Sequence, residues 1–174
     1  ARHLTSIGAD YFGVAFVEEG IALRQAGIKA QIQVFGGLLG SQIKLFLDHD
    51  LEITASSADK LKAIDLTAKE LGKRARVHLK IDTGLERIGT HYYSTEKLFE
   101  CARSSKYVEI VGMYSHFAKA DDPDPSYTKL QCQRFLKATQ ILDSTPLPSP
   151  YLKHIANSAA LIELPETHLD LVRP

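Results

Sequence analysis

The chain of 174 residues has no tryptophan, one methionine and only two cysteines. Cys101 and Cys132 are too few for a disulfide scaffold, and their spacing fits no metal-binding pattern. Both fall in segments of helical period, so a reduced, cytoplasmic compartment is expected. Neither sign of charge is in excess, because 21 basic side chains meet 21 acidic ones. A nucleic-acid-binding chain would carry a basic surplus to neutralise phosphates, so that class is excluded. No apolar run approaches the ~20 residues of a membrane-spanning helix, and the first residues do not read as a secretory signal. Low-complexity segments are missing too. Turn formers gather only in Ala120–Pro125 and at Pro146, Pro148 and Pro150. The chain opens on Ala1 without an initiator methionine and stops at Pro174 directly after a strand-like run, so it reads as an excerpt.

What is present is a core and a rhythm. Hydrophobic residues make up 44% of the chain, enough for a globular interior. Short runs rich in β-branched and aromatic residues predict strands at Tyr11–Phe16, Ile32–Gly36, Leu51–Ala55, Val77–Thr83, Val108–Phe117, Tyr151–Asn157 and Leu169–Arg173. Helical periods fill 18–26, 41–47, 57–71, 95–104, 127–143 and 158–163. The third helix is the clearest. Ser56 and Asp59 resemble a capping box, Leu61, Ile64, Ala68 and Leu71 form one apolar stripe, and Gly72 ends it.

Strands alternating with helices predict a parallel α/β fold, either an open doubly wound sheet or a (β/α)₈ barrel. The fourth run favours the barrel. Val77, Leu79 and Ile81 share one face, while His78, Lys80 and Asp82 share the other. A doubly wound sheet wants both faces apolar, whereas a barrel can hold a polar layer inside near its mouth. Residues 1–174 are therefore expected to be a single incomplete barrel domain, strands two to eight, with the first strand preceding Ala1. Two unpaired edges would then be exposed, and the 174 residues alone should not give a cooperative, monomeric unfolding transition.

Barrel active sites gather at the C-terminal ends of the strands. Those ends read Lys80-Ile-Asp82-Thr83-Gly84-Leu-Glu-Arg87-Ile-Gly89, then Ser115-His116-Phe117-Ala118, then His154-Ile-Ala-Asn157-Ser158-Ala-Ala160, then Val172-Arg173-Pro174. Each brings a cation, a histidine or a hydrogen-bonding side chain, a set suited to an anionic ligand with a polar ring. The four stretches, HLKIDTGLERIG, SHFA, HIANSAA and VRP, together with the upstream GADYFGVAFVEEGIALRQAGI, resemble the alanine racemase family in content and in order. A lone DTG or NSA would say little; four motifs in order at strand ends say much more.

The resemblance implies a homodimeric isomerase that uses pyridoxal 5′-phosphate (PLP) to interconvert L- and D-alanine for peptidoglycan. It implies that Arg173 faces the pyridine nitrogen, staying protonated so that the nitrogen does not. His116 would link Arg173 by hydrogen bonds to a tyrosine of the partner subunit. Arg87 would lie near the cofactor's phenolic oxygen and the substrate carboxylate. Asn157 and Ser158 would take the phosphate, with Ser158 opening a helix whose free N–H groups favour an anion. Lys80 matches a position that many members carry as a carbamylated lysine; a plain interior ion pair with Asp82 is the alternative. Phe35 occupies a pocket-lining position, where core packing is an equal reading. Leu85-Glu86 replaces the usual Met-Gly, placing an extra carboxylate beside Arg87. The Schiff-base lysine and the opposing tyrosine would both lie outside this sequence, so the segment alone is expected to hold PLP and not to racemise. Two other readings stand beside this one: a racemase of serine or lysine on the same scaffold, and a non-catalytic PLP-binding homeostasis protein.

Overall fold

The structure, a computed structural model, describes residues 1–174 and settles the choice of sheet. Its strands are β1 (Tyr11–Val14), β2 (Gln31–Val34), β3 (Ile53–Ala55), β4 (Ala75–Asp82), β5 (Thr90–His91), β6 (Val108–Tyr114) and β7 (Leu152–His154). β1 pairs with β2, β3 with β4, β4 with β6 and β6 with β7, all parallel. Single parallel bridges, Gln33 to Glu52 and His154 to Leu171, span the remaining gaps. From Tyr11 to Leu171 the strands therefore stand side by side in chain order, with the two-residue β5 added beside β4. A doubly wound sheet would reverse its order at a switch point. An unreversed parallel order is that of a barrel wall, and the fold is part of a (β/α)₈-type barrel.

After the exposed turn α1 (Arg2–Ser6), helices cover the outside of the wall: α2 (Val17–Gln25), α3 (Ile43–Asp48), α4 (Ala58–Glu70), α5 (Glu96–Ser104), α6 (Ser126–Ser144) and α7 (Ser158–Glu163). Val77, Leu79 and Ile81 of β4 join one apolar cluster with Leu61 and Ile64 of α4, Phe99 of α5 and Phe135 of α6. Each large side chain so buried contributes roughly 1.5–3 kcal/mol. Inside the wall, His78, Lys80 and Asp82 are buried as well, giving the polar layer that the alternation predicts. No helix is long and apolar enough to cross a membrane. Both cysteines are free and buried, in α5 and α6.

Several expectations need correction. The N-cap of α4 is Ser57, whose extended backbone lets Oγ accept from the Lys60 N–H at 3.2 Å. The third helical residue is then Lys60, so Asp59 cannot complete a capping box. Gly72 does end the helix, at φ 62°, with Gly72 N–H donating to Lys69 O and Lys73 N–H to Ala68 O, the two bonds of a Schellman cap. Leu71 falls off the apolar stripe at 36% exposed. The strand expected at Leu169–Arg173 is reduced to the Leu171 bridge, flanked by Asp170 N–H to Lys153 O and Arg173 N–H to Ala156 O. Leu169, at φ 52°, breaks the extended backbone that a longer ladder requires. Neither α1 nor β5 was anticipated from periodicity, being too short to carry a period.

Candidate active site

The C-terminal strand ends surround a cavity of about 320 Å³, within the range of small-molecule sites. Lys80, Arg87, His116, Asn157, Ser158 and Arg173 all stand on its wall, and Phe35 and Tyr114 supply aromatic surface. No carboxylate lines it. A larger cavity, about 430 Å³, lies between the Asp121–Pro125 loop and α7, but Asp121, Asp122 and Glu163 line it without any cation. The smaller cavity is the one built for an anion.

Arg87 reaches the wall because Asp82 folds the loop that carries it. The Asp82 carboxylate accepts from four successive backbone N–H groups: Gly84 at 2.8 Å, Leu85 at 3.1 Å, Glu86 at 3.2 Å and Arg87 at 3.2 Å. From the helical side, Tyr127 Oη donates to Gly84 O at 2.8 Å and Arg134 to Thr83 O at 3.0 Å. Glu86 sits at φ 56°, a left-handed conformation that suits glycine. Its exposed carboxylate faces His91 at 3.7 Å. The extra carboxylate is thus turned toward His91 rather than into the cavity.

With Asp82 committed to backbone, the alternative reading of Lys80, an ion pair with Asp82, is not what forms. Lys80 is 4% exposed and makes no hydrogen bond; its Nζ lies 4.1 Å from the centroid of the Tyr114 ring. Burial, then the nearby Arg173 and Arg87 charges, push its pKa well below the usual lysine value, with Asp82 opposing only in part. Lys80 is a buried amine biased toward its neutral form. Tyr114 is itself held by its hydroxyl, 2.9 Å from Thr54 Oγ1, and stacks on His154 with ring centroids 4.9 Å apart.

Arg173 is fixed by three acceptors: His154 Nδ1 at 2.6 Å, Ser115 O at 2.9 Å and Ile155 O at 3.1 Å. Its carbon also lies 5.4 Å from the Tyr114 ring centroid. Burial lowers its pKa to about 10, which still leaves it charged at neutral pH. The histidine bonded to Arg173 is therefore His154, not the His116 named by sequence. His154 ends β7 inside the wall, whereas His116 lies beyond the end of β6, and its ring makes no hydrogen bond. Burial, then the charges of Lys80, Arg173 and Arg87, lower His116 to about 4. The His116 backbone is held from α6, where Gln131 donates to His116 O at 3.2 Å and accepts from Ala118 N–H at 2.9 Å.

The last pair, Asn157 and Ser158, divides its duties. Asn157 caps α7, accepting the Ala160 N–H at 3.0 Å through Oδ1. Ser158 is the first helical residue, its hydroxyl without a partner in the protein and its side chain on the cavity wall. Sequence reasoning missed Tyr114 and His154 as parts of the site. His154 was within reach, since it opens the HIANSAA stretch; Tyr114 carried no signal beyond its place at a strand end.

A parallel barrel wall whose four strand ends bring Lys80, Arg87, His116, Asn157, Ser158 and Arg173 around one carboxylate-free cavity defines a barrel domain with a site suited to an anionic small molecule. The profile of the family "Alanine racemase, N-terminal domain" matches residues 1–174, and the chain belongs to that family. It is 40% identical over its whole length to alanine racemase 1 of Caldanaerobacter subterraneus subsp. tengcongensis, covering 45% of that protein. It is 42% identical over its whole length to the alanine racemase of Desulforamulus reducens, covering 47%. Among solved structures, the alanine racemase of Clostridium difficile 630 superposes with a TM-score of 0.94 at 33% identity, over 99% of this chain and 48% of that one. The chain thus spans about half the length of the relatives it matches.

Proposed function

We propose that the intact protein carrying this chain is a PLP-dependent alanine racemase. The observation that carries the reading is the carboxylate-free cavity onto which Lys80, Arg87 and Arg173 converge, in a chain of this family. The donor set fits PLP, an anion with a phosphate, an aromatic ring and a phenolic oxygen. Ser158 Oγ and the amides at the start of α7 would hold the phosphate, with Asn157 fixing that turn. Arg173 would donate to the ring nitrogen and so keep it unprotonated. Arg87 would face the phenolic oxygen and the substrate carboxylate, for which a guanidinium fork is well matched. When bound, PLP supplies an electron sink for a carbanion at the amino acid's α-carbon. His116, without an internal partner, would serve the hydrogen-bond chain toward a tyrosine of a partner subunit. Lys80, biased toward the neutral amine, is suited to take up carbon dioxide as a carbamate, whose anion would orient Arg87. The two proton-transferring bases implied by the family would lie outside these residues, so the 174 residues alone would bind PLP without racemising. A cytoplasmic homodimer that supplies D-alanine for peptidoglycan completes the reading.

The test is to load the intact protein with PLP and follow D-enantiomer formation from a panel of L-amino acids. L-Alanine is expected to turn over fastest. Preference for serine or lysine would reassign the substrate, and PLP retention without racemisation would make the protein a cofactor-binding one. Intact-protein mass analysis reads the Lys80 carbamate as a carbon-dioxide-sized addition.

A further inference from the structure

Below the cavity, a second set of polar side chains fills the barrel interior. Arg173 donates to His154 Nδ1 at 2.6 Å. His154 Nε2 lies 3.1 Å from His78 Nδ1, and His78 Nε2 lies 2.8 Å from Glu52 Oε2. Tyr11 donates to the same carboxylate oxygen, and Arg76 Nη2 donates to Glu52 Oε1 at 2.6 Å. Glu52 and both imidazoles are buried, at 1%, 0% and 0% exposed.

The two ends dictate every proton between them. A guanidinium can only donate, so His154 Nδ1 must accept, and a neutral His154 carries its proton on Nε2. That N–H then points at His78 Nδ1, which must accept in turn. His78 therefore carries its proton on Nε2 as well, donating it to the carboxylate, which can only accept. We propose that Glu52 is a positioning residue for Arg173: through two neutral imidazoles locked as Nε2–H tautomers, its carboxylate compensates and orients the guanidinium at the cavity. The inference rests on the PLP reading only for what Arg173 faces.

Two further observations agree. Burial and the Arg173 charge depress both histidines, most strongly His154; at His78 the Glu52 hydrogen bond and charge oppose this without reversing it, which favours neutral rings. Burial would raise Glu52, but the His78 and Tyr11 hydrogen bonds and the Arg76 charge outweigh it and keep the carboxyl ionised. Space for the relay is also specific. A Cβ on Gly112 would fall 2.1 Å from His78 Nδ1, the atom that accepts from His154.

The test is ¹⁵N-histidine NMR on the intact protein without substrate. His78 and His154 should each show a protonated Nε2 and a bare Nδ1. An Nδ1–H tautomer or an imidazolium at either residue overturns the proposal. In Glu52→Gln, replacing a charged acceptor by a neutral one should move the His78 Nε2–H proton upfield and, through the chain, the His154 Nε2–H as well. Glu52→Asp should restore both. Unmoved protons in Glu52→Gln overturn the proposal, and the wild-type measurement decides even where that variant fails to fold. Because no turnover is read, failure of the racemase assignment leaves these outcomes standing. A wrong tautomer sinks the relay even where racemisation is found.

Discussion

His78 and Lys80 stand two residues apart on the same inner face of β4, and they live under opposite rules. His78 uses both ring nitrogens, one toward His154 and one toward Glu52 and Tyr11. Lys80, almost as buried, has only the face of Tyr114. Buried polar groups are nearly always paired, because leaving one unpaired costs roughly 1–3 kcal/mol, more if charged. Lys80 turns to the cavity rather than to a protein partner, so the mouth is arranged to meet a ligand, whereas the layer below pairs its own charges and leaves only Arg76 Nε and Gln33 Nε2 buried without a partner. The lower layer is scaffold; the upper layer is reception.

The contrast is broken most forcefully from below. Glu52→Ala removes the anion that Arg76, His78 and Tyr11 share, leaving buried donors without an acceptor. A loss of about 3–5 kcal/mol is expected in denaturant unfolding of the intact protein. A loss below about 1 kcal/mol would mean that water or Arg76 rearrangement satisfies the layer and that it is not scaffold. Arg87→Ala should do the reverse. No hydrogen bond or ion pair in the structure uses its side chain, so stability should stay within about 0.5 kcal/mol of wild type. Alanine racemisation should fall by about a hundredfold or more, the scale of losing a charged ligand contact. Equal losses of stability and turnover would erase the distinction between layers.

A pH titration sharpens the same comparison. His116 titrates near 6.5 when unfolded and at about 4 when folded, so the native state binds fewer protons between those values. Stability from this group is complete above pH 6.5 and is lost as pH falls toward 4. On the order of 1–2 kcal/mol is at stake, after discounting for solvent around a half-buried ring. His116→Asn should flatten that part of the stability profile of the ligand-free protein. An unchanged slope would assign it to other groups. Asn157→Ala is next, costing about 1 kcal/mol for the cap of α7 and weakening PLP retention if that turn seats the phosphate.

The same division explains what the sequence could disclose. Strand ends, the alternation in β4 and the order of motifs were legible because they are local or linear. They sufficed to name Lys80, Arg87, His116, Asn157, Ser158 and Arg173, which line one cavity. The scaffold layer was not legible. Glu52 sits in an apolar run, and its partners at Tyr11, Arg76 and His78 become neighbours only when the wall curves. Choosing His116 rather than His154 as the partner of Arg173 failed for a related reason: sequence order locates a strand end without saying how far inside it a ring sits. The cap of α4, read as Ser56 and found at Ser57, was a one-residue slip, since the deciding quantity is a backbone angle.

The smallest effect tests how the reception layer is carried. Glu86 replaces the glycine expected from the family pattern and holds φ 56° while Asp82 collects the N–H groups on both sides of it. A left-handed conformation costs a non-glycine residue roughly 1–2 kcal/mol, partly offset by the smaller loss of backbone entropy on folding. The one ion-pair partner of its side chain, His91, is an exposed contact of little energetic weight. Glu86→Gly should therefore stabilise the intact protein by about 0.5–1 kcal/mol and leave the alanine KM within about twofold, because Asp82 rather than residue 86 fixes the position of Arg87. A rise in KM without loss of stability would show that the Glu86 backbone, strained as it is, helps to aim that guanidinium.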